Sequence, residues 1–124
     1  MQNLREEFKK RLYAYIIRVV RFLTTLPKDV VIREITSQLM RSGTSIGANY
    51  FEAQSASSRK DYQNYFTHSL KSTNESKFWL NILLDCQLVP QETVAECKWI
   101  LQETDELSKI FASSILTMKG QRKF

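Results

Sequence analysis

Residues 41–54, RSGTSIGANYFEAQ, decide how the rest of the chain is read. Ser42, Gly43, Ile46, Gly47 and Ala53 recur at three- and four-residue spacing, so they share one helix face on which a neighbouring backbone can approach closely. Two glycines inside a helix cost roughly 1 kcal/mol each relative to alanine, and tight packing or a local function has to offset that. The other face carries Gln38, Arg41, Ser45 and Glu52. The stretch predicts a close-packing seam and a polar strip back to back.

Working outward, the chain of 124 residues has the length of one domain, 1–124, with a single core. Only three glycines and two prolines interrupt it, while Leu, Lys, Glu, Gln and Arg are frequent. An all-α fold of long helices and short loops follows. Helix 1 is expected from Asn3 to Leu26, ended by Pro27. Its apolar residues, Phe8, Leu12, Tyr13, Tyr15, Ile16, Ile17, Val19, Val20, Phe22 and Leu23, cover an arc of roughly 220° at 100° per residue. A bundle helix needs a stripe only a little over ~100° wide, so the excess predicts a second buried surface, most simply another subunit. The remaining arc holds Lys10, Arg11, Arg18 and Arg21, a basic stripe along the helix.

Asp29 is the expected N-cap of helix 2, Val30 to Gln54, with Ile32, Ile35, Leu39 and Ile46 as core positions. Asn49 lies at the margin of that face, where its amide needs hydrogen-bond partners. Arg41, Ser45, Asn49 and Glu52, with Glu75 as a candidate partner of Arg41 on the next helix, read as a structural polar network rather than a catalytic group. Helix 3 is expected to start with Ser58 as N-cap and Asp61 at its third position and to run to Gln87. Tyr62, Phe66, Leu70, Leu80 and Leu84 are its core candidates, and Ser69, Ser72, Thr73 and Ser76 form a small-residue run positioned to accept the glycine seam. Phe78, Trp79 and Ile82 point elsewhere and suit an interface. Pro90 is placed to start helix 4, whose apolar positions are Val94, Cys97, Leu101, Leu107, Ile110, Phe111, Ile115 and Met118. Beyond Gly120, Gln121 to Phe124 read as a short basic tail.

The formal charge is +5, from 18 Lys and Arg against 13 Asp and Glu. Residues 1–60 carry 11 basic and 5 acidic side chains, and residues 61–124 carry 7 and 8. A basic half of this kind attracts phosphate backbones or anionic surfaces, or is simply a solvated face. Cys86 and Cys97 do not make a metal-ligand spacing, His68 is the only histidine, and no secretory leader or membrane-length apolar run occurs. Reduced thiols and a cytoplasmic location are expected, with no metal and no cofactor. There is no phosphate-cradling glycine loop, no nucleophile elbow and no Glu-x-x-His pair for a di-iron centre. Ser45 with His68 as nucleophile and base lacks an evident oxyanion site. A non-enzymatic role is expected.

Arg41-Ser42, Thr44 through Asn49 and Glu52 resemble the signature of the four helix bundle protein family, the 23S rRNA intervening sequence proteins. The likeness continues through Ser58-Arg59-Lys60-Asp61 and through Glu75 with Phe78-Trp79-Leu80, although Gly47 stands where many members carry proline. The resemblance implies an up-and-down antiparallel four-helix bundle that assembles into a homopentamer. It also implies a bacterial source and nucleic-acid binding of unsettled biochemical role, with relatives among the accessory variability determinant proteins that serve reverse transcriptases in diversity-generating retroelements. Two functions are therefore open: an oligomer that binds nucleic acid, RNA foremost, through the Lys10, Arg11, Arg18 and Arg21 stripe, or a scaffold that docks a partner protein such as a reverse transcriptase. In a competing reading the same arginines pair with Glu96, Glu103 or Glu106 across an interface.

Overall fold

The structure, a computed structural model, describes the backbone of residues 2–120 and the side chains of residues 4–120. The tail expected at Gln121 to Phe124 lies outside the described residues. The described residues form four helices, α1 Gln2–Thr24, α2 Val30–Ala53, α3 Arg59–Asp85 and α4 Val94–Met118, with a 3-10 turn at Gln91–Thr93. Each packs on its neighbour in the chain, and α4 closes back on α1. Every adjacent pair is antiparallel. Phe8 meets Tyr50 while Val19 lies against Gly43; Ser42 meets Ser76 while Ile46 meets Ser69. In the same way Phe66 meets Phe111 while Lys77 meets Asp105, and Arg11 meets Glu103 while Arg18 meets Glu96. This is an up-and-down four-helix bundle.

The helix ends follow local chemistry. Thr24 and Thr25 hydroxyls donate to the carbonyls of Arg21 and Phe22, both at 2.6 Å, and so end α1 two residues before Leu26. Pro27 disfavours helical backbone at the residue before it. The Asp29 carboxylate accepts from the Ile32 N–H at 2.9 Å and the Ser58 hydroxyl from the Asp61 N–H at 3.0 Å, as expected of both caps. At the end of α3 the Leu88 N–H reaches the Leu83 carbonyl and the Gln87 N–H the Leu84 carbonyl, with Gln87 at φ 55°. That is a Schellman cap whose left-handed position is held by a residue with a Cβ. Gln87→Gly is therefore expected to raise stability by up to about 1 kcal/mol, read as a higher denaturation midpoint. Pro90 does not start α4. It precedes the 3-10 turn, and the α-helix begins at Val94.

One aromatic layer joins the four helices near one end. Phe111 of α4 has ring contacts with Phe8 of α1 at 5.8 Å, Tyr50 of α2 at 6.3 Å and Phe66 of α3 at 5.5 Å. In its middle the core of α3 is small and polar, and Leu80 and Leu83 are buried beyond it. Ser69, Thr73 and Ser76 are buried, while Tyr62, Leu70 and Leu84, expected there, are half-buried. Their hydroxyls are satisfied within the core: Ser76 pairs with Ser42 at 2.8 Å, Ser69 donates to the Ile46 carbonyl at 2.8 Å, and Thr73 to the Leu70 carbonyl at 2.6 Å. Small hydrogen-bonded side chains let α2 and α3 lie close together.

The glycine seam faces α1, not α3. A Cβ on Gly43 would stand 3.1 Å from Val19 Cγ1, and one on Gly47 would overlap Ile16 Cδ1. The small-residue run on α3 meets Ser42 and Ile46 instead, one step round the helix. Leucine at position 47 has to displace Ile16 and reach towards Leu12, an overpacking that costs about 1–3 kcal/mol. Gly47→Leu should therefore melt below the wild type, although helix propensity alone predicts the opposite. Equal or higher melting would remove the seam from the account.

Candidate nucleic-acid interface

Most of the wide apolar arc of α1 is used inside the chain. Leu12, Tyr15, Val19, Phe22 and Leu23 are buried, because α1 lies against α2 on one flank and α4 on the other. The buried Tyr15 hydroxyl pairs with that of Thr104, and burial pushes the phenol far above its usual range. Tyr13, 59% exposed, and Ile17, 37% exposed, remain on the outside. With Phe51 of α2, 39% exposed, they line a shallow groove of about 870 Å³ that also takes in Lys9, Lys10, Arg18, Arg21 and one acidic side chain, Glu96 of α4.

The four stripe cations divide into two kinds. Positions 11 and 18 are one heptad apart on the flank facing α4, where Glu96 and Glu103 repeat at the same interval. Arg11 makes a two-pronged pair with Glu103, both contacts at 2.8 Å, and reaches Glu106 at 3.3 Å. Arg18 pairs with Glu96 through contacts of 2.7 and 2.9 Å, and its guanidinium lies 3.5 Å from the centre of the Trp99 ring. These hydrogen bonds hold both guanidiniums more firmly charged than usual while neutralising their fields. The Glu96, Glu103 and Glu106 pairing anticipated across an interface is thus made within one chain. Lys10 and Arg21 are exposed and enter no ion pair among the described residues, whereas Lys9 has Glu6 at 3.5 Å. The four do not act as one free stripe.

Of the polar network expected of Arg41, Ser45, Asn49, Glu52 and Glu75, one contact forms among the described residues. Asn49 donates to the Ser45 carbonyl at 2.8 Å, Glu75 accepts from the Trp79 indole at 3.2 Å, and Arg41 and Glu52 are exposed without an ion pair among the described residues. The cause is helical phase: Ser42, Ile46 and Tyr50 face the core, which turns Arg41 and Glu52 to solvent. The paired polar groups are others. Lys77 contacts Asp105 at 3.2 Å and Ser108 at 3.3 Å, and with Lys109 it holds the Asp105 carboxyl below its usual range.

Sequence reasoning also passed over Phe51 and Trp99 as groove and arginine partners. Phe51 follows Gly47 by one turn, so it comes to the groove because the seam, expected against helix 3, lies against α1. Both cysteines are free; burial pushes the Cys97 thiol up to about 11, and Cys86 is exposed. Among the described residues no cluster of three or more His, Cys, Asp or Glu side chains is placed to hold a metal. No helix among them is long and apolar enough to cross a membrane.

Comparison with known proteins agrees with this architecture. The crystal structure of a protein of unknown function from the S23 ribosomal protein family of Bacteroides thetaiotaomicron VPI-5482 is similar, with a TM-score of 0.73 and 34% identity over 86% of this chain and 96% of that one. No curated protein matches. The family model described as 23S rRNA-intervening sequence protein matches residues 6–113. With that match spanning all four helices, the chain belongs to the 23S rRNA-intervening sequence protein family.

Proposed function

We propose that the protein is a non-enzymatic, homo-oligomeric nucleic-acid-binding protein of the cytoplasm, with RNA as the preferred polymer and little sequence preference. The supporting observation is the α1 groove, in which unpaired Lys10 and Arg21 stand beside the outward-facing Tyr13 ring. Such cations attract phosphate whatever the base sequence. The family is named for a sequence that intervenes in 23S rRNA, which puts RNA before DNA as the polymer to test. Two free cations in one protomer bind a polyanion weakly, and repetition of the groove around an assembly multiplies that affinity without new contacts. Titrating the intact protein into a labelled oligoribonucleotide at increasing salt tests this reading: affinity should fall steeply as salt rises, and salt-independent affinity or none would overturn it.

Assembly is supported by apolar side chains that the monomer leaves outside and the groove does not use, notably Phe78, which meets Trp79 edge-to-face on α3, and Leu116 on α4. Light scattering after size exclusion should give a mass several times that of the chain, five copies being the number expected from the family resemblance. A monomer at micromolar concentration would contradict assembly. The alternative, a scaffold that docks a reverse transcriptase, draws on Arg11 and Arg18 being neutralised within the chain, and predicts partner capture that persists at high salt.

A further inference from the structure

We infer that the α1 groove selects single-stranded nucleic acid, with Tyr13 and Phe51 stacking on unpaired bases while Lys10 and Arg21 hold the backbone. This rests on the nucleic-acid reading above and names the strand form it takes. The groove combines two surfaces of opposite kind. Its walls carry Lys10 and Arg21, and between them the lining is apolar, from Tyr13, Ile17 and Phe51. Lys10, Tyr13, Ile17 and Arg21 follow one another along a single helix stripe about 16 Å long, so aromatic and aliphatic surface is bracketed by charge at both ends.

A duplex has no use for that lining. Its bases are stacked on one another, and what it presents to a shallow protein groove is phosphate and sugar, which only the cations address. A single strand offers each base with a free face, and aromatic rings beside a basic track are the means by which proteins hold such strands without reading sequence. Tyr13 is the most available ring in the groove, and its exposure serves no packing within the protomer. Arg18 at the edge is already clamped between Glu96 and the Trp99 ring, which fixes that wall and leaves Lys10 and Arg21 as the free charges. The net positive rim argues for a polyanion rather than an apolar partner chain.

The test is an anisotropy titration of the intact protein with a labelled oligouridylate and with a blunt-ended RNA duplex of equal length, repeated for Tyr13→Ala and Tyr13→Phe. Wild type should bind the single strand more tightly. Tyr13→Ala should weaken single-strand binding about tenfold, the size of one lost base–aromatic stack, with duplex affinity unchanged, and Tyr13→Phe should stay near wild type. Because Tyr13 is exposed, circular dichroism should show both variants folded. Equal affinity for the two forms, an unchanged single-strand affinity in Tyr13→Ala, or a loss in Tyr13→Phe as large as in Tyr13→Ala would overturn the stacking assignment while leaving nucleic-acid binding standing. Absence of binding to either RNA, with an acidic amphipathic peptide bound instead, would overturn both readings.

Discussion

Phe111→Ala should cost about 3–5 kcal/mol, the range for removing a fully buried aromatic side chain from a core that cannot collapse around the gap. Phe111, like Tyr50, touches an aromatic partner on each of the other three helices, so its loss opens the layer where all four meet. Edge-to-face geometry adds to the burial, since ring pairs at these separations contribute beyond their area. A domain of this size is stable by only about 5–15 kcal/mol, so the variant should unfold at much lower denaturant and sit near the margin at physiological temperature. Urea unfolding followed by circular dichroism measures it. A loss below about 1 kcal/mol would mean that the aromatic layer is not a keystone of the bundle.

The double variant Lys10→Glu, Arg21→Glu should lose RNA binding by about tenfold or more and should flatten its dependence on salt. Each phosphate contact on a single strand contributes about 0.7 to the slope of log affinity against log salt, so removing two lowers it by about 1.4 per engaged protomer. These positions are chosen because neither has an ion-pair partner among the described residues, so charge reversal leaves the fold intact. Reversal at Arg11 and Arg18 is a different experiment: it sets like charges against Glu103, Glu106 and Glu96 and loosens α1 from α4. Loss of binding there would report on structure. The double variant should therefore keep the melting temperature and mass of the wild type, and unchanged affinity in it would remove Lys10 and Arg21 from the site.

The contrast between Lys10 with Arg21 and Arg11 with Arg18 shows where sequence reading reaches. Helix phase is legible in outline: the apolar arc and the basic arc of α1 separate, and Asp29 and Ser58 cap their helices, because both depend only on local spacing. The grouping of Lys10 and Arg21 with Tyr13 and Ile17 rather than with Arg11 and Arg18 appears only in the structure. Which helix a face will meet is not local. Glu96, Glu103 and Glu106 could be named as arginine partners, but only the return of α4 beside α1 decides that the pairs form within the chain. The same holds for the glycine seam, visible as a small-residue face, whose occupants turned out to be Ile16 and Val19. The core of α3 is legible only in part. Ser69, Thr73 and Ser76 belong to the small-residue run expected against α2, where Ser69 and Ser76 meet Ile46 and Ser42, but apolar periodicity ranks Leu70 and Leu84 above them as core positions. Arg41 and Glu52, read as network members, lie in solvent because the core-facing phase of α2 is set by Ser42 and Ile46.

The claim at the centre of this account is that nucleic acid lies along α1, and photochemical cross-linking tests it most directly. A single-stranded oligoribonucleotide carrying photoreactive uridines is bound to the intact protein, irradiated and digested, and the attachment sites are read by mass spectrometry. Cross-links should fall on Tyr13 and Phe51, the exposed rings of the groove, and should disappear at high salt. Cross-links confined to Phe78 and Trp79 on α3, or to the Arg59-Lys60 start of that helix, would contradict it.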